Sequence, residues 1–165
     1  IEAIRARVGK AFPIMLRFSQ WKQQDYDAKL AQNPAELEQF LSPLVDAGVD
    51  IFHASTRRFW EPEFEDSGLN LAGWTQKISG KPTITVGSVG LNSSFIDEAK
   101  RDMVDASGSD AGNLENLYAR MDAGEFDLVA VGRALLQDPE WVEKVRDGRY
   151  DELSDYSKQS LMKLY

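Results

Sequence analysis

The sequence predicts an α/β chain built on a parallel sheet, and three observations lead there. Short apolar, β-branched runs begin near residues 12, 49, 83 and 127, spaced by about 35 to 45 residues whose apolar positions recur with helical period. The first run, FPIMLRF, is nearly continuous rather than alternating, as expected of a strand covered on both faces, and the second is VDIFHA. The third and fourth, in KPTITVGSVG and DLVAVGRAL, climb out of a turn and run into a glycine, and a helix-forming segment follows.

Ile1 to Val8 places Ile1, Ile4 and Val8 on one face with Arg5 and Arg7 off it, and Gly9 supplies a stop, so this stretch reads as the end of a helix. Phe12 to Phe18 is the first strand, interrupted by Arg17 near its carboxyl end. Beyond a polar loop through Trp21 and Tyr26, Asn33 and Pro34 cap a helix whose inward stripe is Leu37, Phe40, Leu41, Leu44 and Val45, with Gly48 behind it. Val49 to Ala54 is the second strand, followed by the long aromatic loop STRRFWEPEFEDSG. Leu69 to Ile78 is a short helix closed by Gly80, and Pro82 sets up the third strand, Thr83 to Val86. A weak helix over Phe95 to Val104 precedes the turn-rich DASGSDAGN. Leu114 to Met121 is a helix with Leu114, Leu117, Tyr118 and Met121 inward, and Phe126 leads into the fourth strand, Leu128 to Val131. Three helical pieces close the chain: Ala134 to Leu136, one after Asp138-Pro139 to about Val145, and Ser154 to Leu164.

Composition narrows the function. At 165 residues and 42% hydrophobic, residues 1–165 can bury one substantial core as a single domain. A formal net charge of −8 with no Lys/Arg block argues against a nucleic-acid binder. With no cysteine there is no disulfide framework and no thiolate nucleophile, and the lone His53 cannot make a multi-histidine metal site. No apolar run approaches the roughly 18 residues of a membrane span and no signal peptide is evident, so a cytoplasmic protein is expected, without a membrane partner. The first residue is Ile rather than Met, as in a piece of a longer chain.

Glycines at the ends of the third and fourth strands let backbone N–H groups approach an anion, and Arg133 just past Gly132 adds a guanidinium suited to phosphate. Open doubly wound sheets and barrels both hold ligands at the carboxyl ends of their strands. A phosphate shared by the last two strand-end loops is the recurrent arrangement of (β/α)8 barrels, whereas a doubly wound dinucleotide fold carries its glycine fingerprint after the first strand. Periodicity alone does not choose between them; were the third and fourth strands the seventh and eighth of eight, the chain would be the second half of a TIM-type barrel, a C-terminal half-barrel of strands five to eight.

The segments IRARVG, FPIMLRFS, GVDIFHAST, KPTITVGSVG and FDLVAVGRALLQDPEW, in that order, resemble the C-terminal half of the Old Yellow Enzyme family of FMN-dependent NAD(P)H:flavin oxidoreductases and ene-reductases. The likeness runs from Ile1 to about Gly148. It implies FMN as cofactor, NADH or NADPH as electron donor and an activated alkene or related small-molecule acceptor. It implies that Arg17 reaches the N1 side of the flavin, that Gly87 and Ser88 with Val131, Gly132 and Arg133 hold the phosphate, and that Phe59 and Trp60 line the substrate side. The family's substrate-anchoring His/Asn or His/His pair and its proton-donating tyrosine belong to the N-terminal half, so the catalytic residues are unknown in this chain. A half-barrel has two open edges and one open face, which implies a partner: the missing half on another chain, or a second copy of this one.

Plainer readings stand beside these. Arg17 could be a structural ion-pair partner, Arg133 a solvated helix-end arginine, and Gly87 and Gly90 ordinary turn glycines, with the phosphate role stronger for Gly87. Ser88 serves as a backbone donor whatever its hydroxyl does. A single histidine such as His53, with no nucleophile nearby, is more often a satisfied core or rim residue. The acidic run Glu61, Glu63, Glu65 and Asp66 is more often solvated surface than a metal site, so no metal is expected. Phe59, Trp60, Phe64 and Trp74 could pack between loop and barrel rather than face a ligand. Two other functions remain: a non-catalytic or engineered half-barrel scaffold, and a flavin-free phosphate-binding isomerase or aldolase. The last needs a strand-end base, and Lys10 and Lys81 precede their strands.

Overall fold

The computed structural model describes residues 1–91, 96–97, 102–103 and 111–162. Elements follow in the order α1 (Glu2–Val8), β1 (Met15–Phe18), α2 (Pro34–Asp46), β2 (Ile51–Ser55), α3 (Leu71–Ser79), β3 (Thr83–Val86), β4 (Ile96–Asp97), β5 (Asp102–Met103), α4 (Ala111–Asp122), β6 (Leu128–Ala130), α5 (Arg133–Gln137) and α6 (Trp141–Arg146). Two 3-10 turns, Tyr150–Glu152 and Lys158–Met162, follow.

β1, β2, β3 and β6 form one parallel sheet in that spatial order. Each crossover moves one strand further in the same direction, so there is no reversal point of the kind that defines a doubly wound sheet. With crossovers of one hand, such winding puts all the helices on one face, as in a barrel wall. The register separates the two faces. Leu16, Phe52, Ala54, Thr83 and Thr85 lie on the helix side, while Met15, Arg17, Ile51, His53, Ser55, Ile84, Val86 and Leu128 lie on the other. Phe52, Ala54, Thr83 and Thr85 have no exposed surface, whereas Met15 and Leu128 on the opposite face are each 51% exposed.

The core is the layer between sheet and helices: Leu37 and Leu41 of α2, Leu71 and Ala72 of α3, Leu114 and Leu117 of α4, and Phe52, Phe59, Phe126 and Trp141. Each fully buried Leu or Phe contributes about 1.5–3 kcal/mol relative to exposure. α2 begins as the sequence requires. Asn33 Oδ1 accepts from Glu36 N–H at 3.0 Å, Gln32 N–H donates to Glu36 Oε2 at 2.8 Å, and Pro34 occupies the first turn. At the opposite end of the strands, Asp50 takes Ile14 N–H at 2.7 Å and pairs with Arg5, whose guanidinium also donates to the carbonyls of Gly9, Phe12 and Gly48. Those donors hold the Asp50 carboxyl below its usual range, the Ile14 N–H first and Arg5 second.

Four sequence expectations change. The first strand starts at Met15, not Phe12, and is not covered on both faces, because the non-helix face of the sheet is open. Of the inward positions expected on α4, Leu114 and Leu117 are buried but Tyr118 and Met121 are not; they border an apolar groove with Val142 and Val145 of α6. The helix expected over Phe95 to Val104 lies partly outside the described residues; those described, 96–97 and 102–103, pair as a short antiparallel ladder. DASGSDAGN falls outside them up to residue 110, and α4 begins at Ala111. The closing helix is replaced by 3-10 turns, because the tail is held from the side: Ser157 N–H donates to Gln137 Oε1 at 3.1 Å, Ser160 Oγ bonds the same oxygen, and Tyr156 is buried. No described helix is long and apolar enough to cross a membrane.

Candidate functional site

β3 and β6 are adjacent and parallel, so the turns that leave their carboxyl ends lie side by side. Between them is a cavity of about 180 Å³ lined by Thr56, Gly87, Ser88, Val89, Gly132 and Arg133, among others. The β3 turn is built for close approach. Gly87 has φ +142°, and a Cβ there would stand 2.7 Å from both the carbonyl oxygen and the hydroxyl of Thr56. Ser88 adopts φ +51°, a left-handed conformation that costs a non-glycine residue about 1 kcal/mol or more. Its backbone is anchored by Leu91 N–H donating to Ser88 O at 3.0 Å, and the turn is tied to the loop after β2 by Phe59 N–H donating to Gly87 O at 3.1 Å.

Arg133 opens α5 and reaches back across the cavity, donating from Nη2 to Ser88 Oγ at 3.1 Å, while Ser88 Oγ donates to the carbonyl of Arg57 at 3.0 Å. The guanidinium also lies 5.6 Å from the ring centre of Tyr156, which is 1% exposed. Burial lowers the Arg133 pKa, the mark of a cation drawn out of water. Its bond to Ser88 and its partial burial set it apart from a fully solvated helix-end arginine. A half-buried cation, a strained serine turn and a glycine that admits no side chain thus border one small cavity.

Gly90 has a different task. Its N–H donates to Asn113 Oδ1 at 2.9 Å, and a Cβ there would stand 2.8 Å from the Trp141 ring. It is a packing glycine. Val131 lines the apolar groove between α4 and α6, while its neighbours Ala130 and Gly132 line the cavity. Any contact of Val131 with a ligand in the cavity is thus through its backbone.

Arg17 lies on the open face of the sheet beside His53, its partner across the β1–β2 ladder, and donates from Nη2 to Ser55 Oγ at 3.0 Å. Among the described residues it has no carboxylate partner. His53 is kept below its ordinary pKa by burial and by the Arg17 charge, and its Nε2 is shielded from water without a hydrogen bond. It is a partly buried residue beside a cation.

The aromatic loop behind β2 packs as well as points. Phe59 has no exposed surface and meets Trp60 edge-on at 5.2 Å. Asn70 pins that loop, donating from Nδ2 to Phe59 O at 2.7 Å and to Thr85 Oγ1 at 3.3 Å, while its Oδ1 caps α3 through Gly73 N–H at 2.9 Å. Phe64 stacks edge-on with Trp74 at 5.6 Å. The acidic run is not uniform surface either. Gln20 Nε2 donates to Glu63 Oε1 at 2.9 Å, and burial raises the Glu63 pKa, while Glu61 pairs with Arg58 at 2.6 Å. Among the described residues no three His, Asp or Glu side chains gather to hold a metal ion.

Thr56 and Tyr156 were not legible as site residues. Thr56 closes a strand that reads as ordinary, and Tyr156 sits far along a polar tail with no motif around it.

No family model matches this sequence. In sequence the chain is similar to a protein named NADH oxidase from Thermoanaerobacter brockii, 29% identical over an alignment of 161 residues that covers 93% of this chain and 21% of that protein. In fold it is similar to the old yellow enzyme homologue from Zymomonas mobilis, with a TM-score of 0.59 at 13% identity, over 96% of this chain and 37% of that one. Morphinone reductase gives a TM-score of 0.57 at 17% identity, over 96% and 35%. Histamine dehydrogenase from Rhizobium sp. 4-9 gives 0.55 at 18%, over 92% and 19%. The chain thus spans well under half the length of each of these proteins, and its four βα units form an α/β half-barrel of the TIM-barrel type.

Proposed function

Starting from a half-barrel that resembles the Old Yellow Enzyme family, we propose that this chain is the flavin-phosphate half of an FMN-dependent oxidoreductase. The observation that carries the reading is the bond from Arg133 to Ser88 across the cavity between the β3 and β6 turns, with Gly87 beside it. Gly87, Ser88, Gly132 and Arg133 would hold the phosphate, and the backbone of Val131 would border it. Arg17, with its uncompensated charge on the open face, would meet the N1 side of the flavin, where a cation stabilises developing negative charge. When bound, FMN would supply hydride chemistry between NADH or NADPH and a small-molecule acceptor. Trp60 remains a candidate for the substrate side; Phe59 supports that side from the core.

The likeness implies that the substrate anchors and proton donor come from a partner half, and the open sheet edges are consistent with one. Titration of the chain with FMN and with riboflavin tests the reading: FMN binding should shift the flavin absorbance, and riboflavin should bind more weakly for want of the phosphate. NADPH oxidation should remain negligible until the other half is added. Equal affinity for the two flavins would refute the phosphate assignment, and rapid turnover by this chain alone would refute the claim that catalytic groups lie elsewhere.

A further inference from the structure

The loop between β2 and α3 carries Phe59 and Trp60, yet a side chain that fixes its path comes from α4. Arg120 Nη2 donates to Trp60 O at 3.1 Å and Nη1 donates to Gly68 O at 3.1 Å, so one guanidinium gathers the two ends of the loop. The guanidinium is itself held. Nη1 pairs with Glu125 Oε2 at 2.9 Å, and Nε donates to Asn116 Oδ1 at 3.2 Å. With side-chain exposures of 15% and 16%, Arg120 and Glu125 form a largely buried pair that salt screens little.

Both bonds to the loop end on backbone carbonyls, so they set the course of the chain and leave the loop's side chains free to face elsewhere. Trp60 is the residue most affected. Its carbonyl is tied to Arg120, and its ring meets Phe59 edge-on at 5.2 Å. Phe59 is in turn fixed by its N–H on Gly87 O at 3.1 Å and by Asn70 Nδ2 on its carbonyl at 2.7 Å. Trp60 is nevertheless only half-buried. Between the tied ends, Glu61, Pro62 and Glu63 help line a cavity of about 200 Å³ that Trp21 and Tyr26 of the loop before α2 also border. A planar guanidinium fork donates in several fixed directions at once, which a single ammonium on a flexible stem does not.

We propose that Arg120 is a positioning residue whose guanidinium, rather than its charge alone, sets where Trp60 stands and how the loop walls this cavity. Its consequence for function rests on the flavin reading given above: Arg120 then shapes the substrate side through Trp60 without touching flavin or substrate.

The test is fluorine NMR of the intact chain labelled with 5-fluorotryptophan, the signals of Trp21, Trp60, Trp74 and Trp141 being assigned by single Trp→Phe variants. Arg120→Gln should shift or broaden the Trp60 signal and leave that of Trp141, on α6, in place as a report on the whole fold. Arg120→Lys keeps a cation beside Glu125 and guards against a variant that fails to fold. It should hold the urea midpoint nearer wild type than Gln does, yet displace the Trp60 signal, because an ammonium does not span both carbonyls. An unmoved Trp60 signal in both variants, its full restoration by Lys, or equal shifts of Trp60 and Trp141 would overturn the proposal. FMN added to the same samples keeps the functional reading separate. A Trp60 shift on FMN binding that Arg120→Gln alters, with FMN affinity unchanged, supports the role on the substrate side. FMN binding that leaves Trp60 unmoved would refute that role of Trp60, while the spectra of the free variants still decide what Arg120 does to the loop.

Discussion

Arg133 Nη2 donates to Ser88 Oγ at 3.1 Å, and the same hydroxyl donates to the carbonyl of Arg57 at 3.0 Å, so one serine joins the turns after three successive strands of the sheet. Ser88 holds that position only by adopting φ +51°. The relay holds the Arg133 guanidinium at the edge of the cavity between the β3 and β6 turns. Replacing Arg133 with Gln should lower FMN affinity about tenfold or more and leave riboflavin affinity nearly unchanged, since only FMN carries the phosphate. Flavin fluorescence titrations of both proteins check this. A parallel loss for both flavins would mean that Arg133 matters only for the shape of the turn.

Gly87 offers a steric test of the same turn. Alanine there must accept φ +142° and meet Thr56 at 2.7 Å on two atoms, one of them backbone. Gly87→Ala should destabilise the chain by about 1–3 kcal/mol. Gly124, also at positive φ (+71°) but with nothing within 4 Å of its added Cβ, should cost less on the same change. Urea midpoints of the two variants separate close approach from backbone strain.

Asn70 has no exposed surface and serves a helix, a loop and a strand at once. Asn70→Ala removes the α3 cap and strands the Phe59 carbonyl in the core, for a combined loss of about 2–4 kcal/mol. Asn70→Asp keeps the cap acceptor but not the donor to Phe59, so it should retain more α3 helicity than the alanine variant. Urea unfolding followed by far-UV circular dichroism resolves both.

Glu63 carries a pH dependence of definite sign. Burial raises its folded pKa above the ordinary 4.5, against the lowering effects of Gln20 and Lys29 and with a further rise from Glu61. The folded state therefore holds this proton more tightly than the unfolded chain. The stability this supplies is fully present below the unfolded pKa and is lost as pH rises through the folded one. Glu63→Gln keeps an acceptor for Gln20 and cannot ionise. The stability difference between wild type and variant should thus move in favour of the variant from about pH 4 upward and level off once wild-type Glu63 is ionised. Urea midpoints across that range check the sign, and a constant difference would refute it.

The alternation of strands and helices was legible because each element carries its own local signal. Asn33-Pro34 caps α2, Gly80 stops α3, and TITV is β-branched at its full length. The barrel-like order β1-β2-β3-β6 was legible only through the glycine turns, because strand order is a non-local property that periodicity does not encode. The same limit explains the misread ends. Phe12 to Phe18 reads as a covered strand because its composition is apolar, but apolarity cannot say whether a neighbour exists on the other side.

By itself, then, the sequence determined the succession of the four parallel strands and of the helices that separate most of them, and nominated Arg17, Gly87, Ser88 and Arg133, since the backbone freedom and charge of those residues belong to them wherever they lie. Tertiary structure alone decided that Arg133 reaches Ser88, that Tyr156 comes from the tail to lie near Arg133, that Gly90 serves Trp141 and Asn113, and that Phe59 is core. It also brought Lys29 to Arg57 and Glu63, residues from separate loops. The physical reason is common to all of these: they are contacts between segments remote in sequence, fixed by which strand packs beside which.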